Sequence, residues 1–170
     1  MFVFIGMMEH GPALVALLYL PIAVMILLIG LDFGDQQGYP AASRFMAGFR
    51  SAGGGTKLAA LLMAMVAVVH LSLIPAHSGD PVTALLFGLD GIALAAVALA
   101  AVAGLRHWRP AAAALLVGSM VAYAFYLMAG RETADVIGGA TKLVELGALL
   151  VIVIRPVDRF VSVMSRYGSQ

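Results

Sequence analysis

Five stretches of about twenty apolar residues dominate this chain, and few folds can accommodate them. Each is long enough to cross roughly 30 Å of hydrocarbon at 1.5 Å rise per residue. They read Gly11–Leu31, Lys57–Ile74, Pro81–Leu105, Pro110–Gly130 and Val136–Ile154. Only 11% of the 170 residues are charged against 62% hydrophobic, and mean hydropathy is +1.01. A soluble domain carries about 25% charged residues, so this surface must meet lipid rather than water. The expected fold is all-α: an integral membrane bundle of five transmembrane helices.

The helix boundaries carry recognisable signals. Asp80-Pro81 places an N-cap residue before Pro at the first helical position, and Thr56 is an N-cap candidate for the second span. Pro110 is expected at the first position of the fourth span, and Arg155-Pro156 stops the fifth. Pro21 predicts a kink within the first span, tolerable where neighbours satisfy the freed carbonyl.

Basic residues set the expected orientation. Of ten Lys and Arg, eight (Arg44, Arg50, Lys57, Arg106, Arg109, Arg155, Arg159 and Arg166) fall in or beside the first loop, the third loop or the tail. Arg131 alone falls in the opposite loops, and Lys142 lies inside a span. The positive-inside rule then puts the N-terminus outside and the C-terminus in the cytoplasm, which requires an odd number of spans. No Lys or Arg precedes Arg44, so we expect no cleavable signal peptide. Residues 1–156 form a single transmembrane domain in this reading, and 157–170 a cytoplasmic interfacial tail. There Phe160, Val163, Met164 and Tyr167 share one helical face opposite Arg159, Ser162 and Arg166, an amphipathic pattern suited to an anionic leaflet. Ser43–Arg50 is a weaker example, followed by a Gly53-Gly54-Gly55 hinge. Absence of Cys excludes disulfides and thiolate metal sites, and no basic patch with interleaved aromatics suggests nucleic acid.

The polar residues within the spans fall in their outer halves. His70, Asp90, Tyr123, Tyr126, Lys142 and Glu145 all lie within about 14 Å of the outer ends at 1.5 Å per residue. A charge in hydrocarbon costs about 2.5–3.5 kcal/mol even on insertion scales, so these groups should face one another or a wet cavity. Lys142 and Glu145 are spaced to pair at i, i+3, and Asp90 could compete for Lys142. The set reads either as a clasp joining the third and fifth spans or as a proton- or ion-responsive site. Tyr123, Phe125 and Tyr126 read as interfacial aromatics, Ser72 and Ser119 as ordinary helix residues. Gly88, Gly91, Ala95 and Ala98 form a small-residue stripe, expected to pack inside the bundle.

A second constellation is His70, Pro75 and His77, with Glu9 and His10 on the same side. Imidazoles and a carboxylate of this kind could hold Zn²⁺ or Cu²⁺, and His10 with His70 is a conceivable bis-His haem pair. A spacing of seven puts His70 and His77 two turns apart, too far to chelate one ion unless the chain bends at Pro75. Taken with Glu145, the His70–Pro75–His77 pattern resembles a loosely defined group of small actinobacterial polytopic membrane proteins. That resemblance covers under half the chain and implies a multi-span protein with no assigned activity.

Three functions are open at this point. The leading expectation is an accessory or assembly subunit of a membrane complex in a bacterial inner (plasma) membrane, with a membrane-protein partner or a homo-oligomer. The alternative is outer-leaflet binding or transport of a metal ion, proton or small amphiphile. A membrane enzyme using His70, Glu145 and Asp90 as acid–base groups ranks third, because no nucleophile stands beside them at an informative spacing. The sequence names no cofactor.

Overall fold

The computed structural model describes residues 11–130 and 136–154. The described residues form six α-helices and one 3₁₀ turn, with no strand among them. The helices are α1 (Gly11–Gln36), α2 (Pro40–Ser51), α3 (Gly54–Leu73), α4 (Pro81–Val102), α5 (Trp108–Met128) and α6 (Val136–Val153); the 3₁₀ turn is Pro75–His77. All except α2 are long and apolar enough to span a membrane. Glu9, His10, Arg131, Asp135 and the amphipathic tail lie outside the described residues.

The five expected spans are therefore present, with shifted ends. Helix α1 runs through Pro21 and continues five residues past Leu31 to Gln36. That last turn gains partners no hydropathy window contains. Arg50 of α2 donates to Asp32 Oδ1 at 2.7 Å and to Asp35 Oδ2 at 2.9 Å. The hydrogen bond to Asp32, then that to Asp35, holds the Arg50 guanidinium above its ordinary range. Helix α3 starts at Gly54 with Gly53 as N-cap, so neither the Thr56 cap nor a glycine hinge is found there. Helix α5 begins at Trp108, which moves Pro110 to its third position. The first four helical N–H groups have no intrahelical acceptor, so a residue without one is tolerated there too. At α4 the expected cap is present: Asp80 Oδ1 accepts from the amides of Val82 (3.2 Å) and Thr83 (3.3 Å), and Oδ2 accepts from the Thr83 hydroxyl (2.8 Å). Asp80→Ala should cost about 1 kcal/mol in thermal or denaturant unfolding, the usual loss for such a cap.

Helix α3 is the centre of the bundle, packed against α4 on one side and α6 on another, with α1 also against it. Its residues Ala59, Met63, Val66 and Ala67 are almost wholly buried, together with Leu94, Leu116 and Ala148 from α4, α5 and α6. The Gly88–Ala98 stripe of α4 contributes to this packing, with Gly91 and Ala98 buried. Outward faces remain apolar: Leu18, Ile26, Leu89, Val121 and Leu143 are all more than half exposed, as a lipid-facing surface requires. Helix α2 lies against the bundle through Phe45 and Phe49 and the buried Met46. Its Gly48 meets the backbone of Ala103 so closely that a Cβ would fall 2.5 Å from the Ala103 carbonyl.

Candidate functional site

The polar residues of four helices converge on one point. On α6, Gly138, Thr141, Lys142 and Glu145 repeat at i, i+3, i+4, i+7 and so share a face. Glu145 on that face is fully buried. Lys142 Nζ donates to Glu145 Oε1 at 2.7 Å and to Ser119 Oγ of α5 at 2.8 Å, and Ser119 donates to the same Oε1 at 3.1 Å. The three groups form a closed triangle tying α6 to α5. The ammonium also lies 5.3 Å from the ring centroid of Tyr123, close enough for a cation–π contact.

His70 lies in the last turn of α3 and extends the set in the other direction. Its Nε2 is 3.5 Å from Glu145 Oε1, and its Nδ1 is 2.7 Å from Asp90 Oδ2 on α4. The imidazole is almost wholly enclosed, while the Asp90 side chain keeps 22% of its surface open. Despite the short Nδ1–Oδ2 distance, neither atom makes a hydrogen bond of acceptable direction, and Glu145 Oε2 also has no hydrogen-bond partner. Proximity, rather than an aligned hydrogen bond, relates His70 to Asp90.

Asp90 therefore does not compete for Lys142. Close packing of α3 on α4 brings His70 to it first, and the third and fifth spans are joined through the second rather than directly. Ser119 is not an ordinary helix residue either, because it closes the Lys142–Glu145 triangle. A readable signal was its place on one face with Tyr123 (i+4) and Tyr126 (i+7).

Beside this set lies a cavity of about 240 Å³ whose walls include His70, His77, Asp90, Ser119, Lys142 and both Tyr123 and Tyr126. The two tyrosines thus face inward, while Phe125 is 61% exposed. Apolar side chains such as Leu73, Leu86 and Phe87 complete the walls. His77 Nδ1 is 3.0 Å from the Leu73 carbonyl, within the bend that Pro75 introduces. Both imidazoles contact Phe87, at centroid distances of 5.3 Å for His70 and 4.8 Å for His77. Among the described residues no group of three or more His, Asp or Glu could hold a metal ion. The other two expected ligands, Glu9 and His10, lie outside those residues.

Fold and site together define an all-helical protein with five candidate membrane spans and a charged cavity between four of them. No protein-family model, curated protein or solved structure matches the chain.

Proposed function

We propose that this is a membrane-embedded binding or transport protein that takes a small ligand into the cavity between α3, α4, α5 and α6. One observation carries the reading. Asp90, whose side chain keeps 22% of its surface open, lines a cavity of about 240 Å³ instead of being wholly enclosed as Glu145 is. A purely structural clasp would enclose its charged groups, as the packing encloses Glu145. At roughly 30 Å³ per liquid-phase water, that space suits a ligand of about eight non-hydrogen atoms. Small pockets with mostly apolar walls and a few convergent polar groups are the usual form of a ligand site.

The cavity opens toward the outer half of a bacterial plasma membrane in this proposal, with the N-terminus outside and the C-terminus cytoplasmic. Support comes from the opposite end of the bundle. There Lys57 lies over the Phe49 ring and Arg109 donates to the Ile152 carbonyl, placing basic residues of the first and third loops together. The tail helix over 157–170 would lie on that cytoplasmic face.

Native mass spectrometry of the full chain, extracted from its own membrane in mild detergent, tests the function. The expected result is a co-purifying small mass that Asp90→Asn loses while melting as the wild type does. A defined complex with another protein and no small mass would favour the accessory-subunit role instead.

A further inference from the structure

We infer that a groove between α1 and α3 holds the acyl chains of a phospholipid whose headgroup ends in a primary ammonium group, with Asp32 at that headgroup. The site is separate from the cavity described above. Along α1, Pro21, Val24, Met25, Leu28, Ile29 and Phe33 follow i, i+3, i+4, i+7, i+8 and i+12, so they share one face. That face lines an open groove of about 740 Å³ with Leu61 of α3 and Met46 of α2, and none of the six is buried. From Pro21 to Phe33 it runs about 18 Å at 1.5 Å per residue, close to the roughly 15 Å of hydrocarbon in one leaflet. Spread over the roughly 22 Å from Pro21 to Gln36, the volume has a cross-section of about 33 Å². A further helix, about 10 Å across with its side chains, would need about 80 Å². Two acyl chains, each about 4 Å across, need about 25 Å².

The charge at its mouth selects the headgroup. The apolar lining ends at Asp32 and Gln36, on the α2 side of the bundle. Arg50 of α2 is shared by two carboxylates, Asp32 at 2.7 Å and Asp35 at 2.9 Å, so its single charge is divided between them. Asp32 also accepts from Gln36 Nε2 at 2.7 Å, and its side chain is still 41% exposed. An ionised carboxylate has about four acceptor positions, so a further N–H donor can join it. A primary ammonium supplies such donors, a trimethylammonium has none, and a glycerol headgroup brings hydroxyls without the positive charge. The lipid phosphate has a cation of its own at this end. Lys57 stands one turn from the lining Leu61, with its ammonium over the Phe49 ring of α2. Arg44, two residues from Met46, falls on the other side of α2. Two carboxylates and two cations thus meet at the mouth. A zwitterionic headgroup leaves no charge over, whereas an anionic one leaves a negative charge beside Asp32.

Native mass spectrometry of the delipidated full chain tests the inference, with phosphatidylethanolamine, phosphatidylcholine and phosphatidylglycerol of identical acyl chains added in turn. Phosphatidylethanolamine adducts should exceed those of either other lipid at least fivefold, a difference that one charge-assisted hydrogen bond can supply. Asp32→Asn should reduce them to the phosphatidylcholine level. Val24→Trp, which fills the groove from α1, should remove the adducts of all three lipids. Asp90→Asn should leave them unchanged, so failure of the lipid site and failure of the cavity function are seen separately. Equal adducts of the three lipids, or most of phosphatidylglycerol, would overturn the headgroup assignment. Adducts that persist in Val24→Trp, or a dimer that forms in their place and is lost with that substitution, would overturn the groove as a lipid site. The comparison of lipids on the wild-type chain stands even if Asp32→Asn fails to fold.

Discussion

Glu145→Leu should cost about 3–5 kcal/mol of stability, the usual loss when one member of a buried ion pair is removed. Glu145 has no exposed surface, and its Oε1 is the acceptor at which Lys142 and Ser119 meet, with His70 Nε2 3.5 Å away. Leucine at this position leaves the mostly enclosed ammonium with the Ser119 hydroxyl and the Tyr123 ring and no carboxylate to pair with. Glu145→Gln should cost less, because its amide oxygen can still accept from Ser119. Lys142→Met combined with Glu145→Leu should regain most of the loss, since a buried pair replaced by apolar groups of similar volume is often neutral. Unfolding in detergent, arranged as a double-mutant cycle, gives the coupling directly. A single variant as stable as the wild type would mean that the triangle does not hold α5 to α6.

The charged set thus divides into two parts with different work. Lys142, Glu145 and Ser119 hydrogen-bond to one another and join α5 to α6. Asp90 and His70 approach each other at 2.7 Å beside the cavity, where the Asp90 side chain stays 22% exposed. The clasp, one of the two readings the sequence offers, matches the first group, and the binding function proposed above rests on the second.

How much of this was legible in the sequence depends on the range of the interaction. Span count and the Asp80–Pro81 cap are local properties, and so is the Lys142–Glu145 pairing at i, i+3. All three are found. Three other features depend on which helix lies beside which, and on how each is turned about its axis. Asp90 meets His70 because α3 packs directly on α4. Asp32 and Asp35 extend α1 because Arg50 returns on α2. Ser119 joins the network because α5 turns it toward α6, whereas Ser72 caps its own helix by donating to the Val69 carbonyl at 2.7 Å. Both serines look alike in an apolar run, and the polar stripe with Tyr123 and Tyr126 is what distinguishes Ser119.

Gly91→Leu should cost about 3 kcal/mol, at the upper end for overpacking, and should also abolish the co-purifying small mass expected from the cavity. A Cβ at Gly91 would lie 2.8 Å from Leu71 Cγ and 3.1 Å from the Ala67 carbonyl oxygen. The first contact can yield by a side-chain rotation, but the second is backbone, so a leucine must push α4 away from α3. Gly91 follows Asp90, and Leu71 follows His70. The contact that a larger residue would break is therefore the one that sets the 2.7 Å approach of the imidazole to the carboxylate. Gly88 provides the contrast on the same helix stripe. A Cβ there meets only Ile74 Cδ1, at an ordinary 3.4 Å, so Gly88→Ala should fold and bind as the wild type does. Unfolding and native mass spectrometry on both variants separate helix packing from site geometry. If Gly91→Leu lost stability but bound normally, the α3–α4 contact would hold the bundle without positioning Asp90. Loss of both, with Gly88→Ala unaffected, would tie the binding geometry to one missing side chain at the crossing of the two helices.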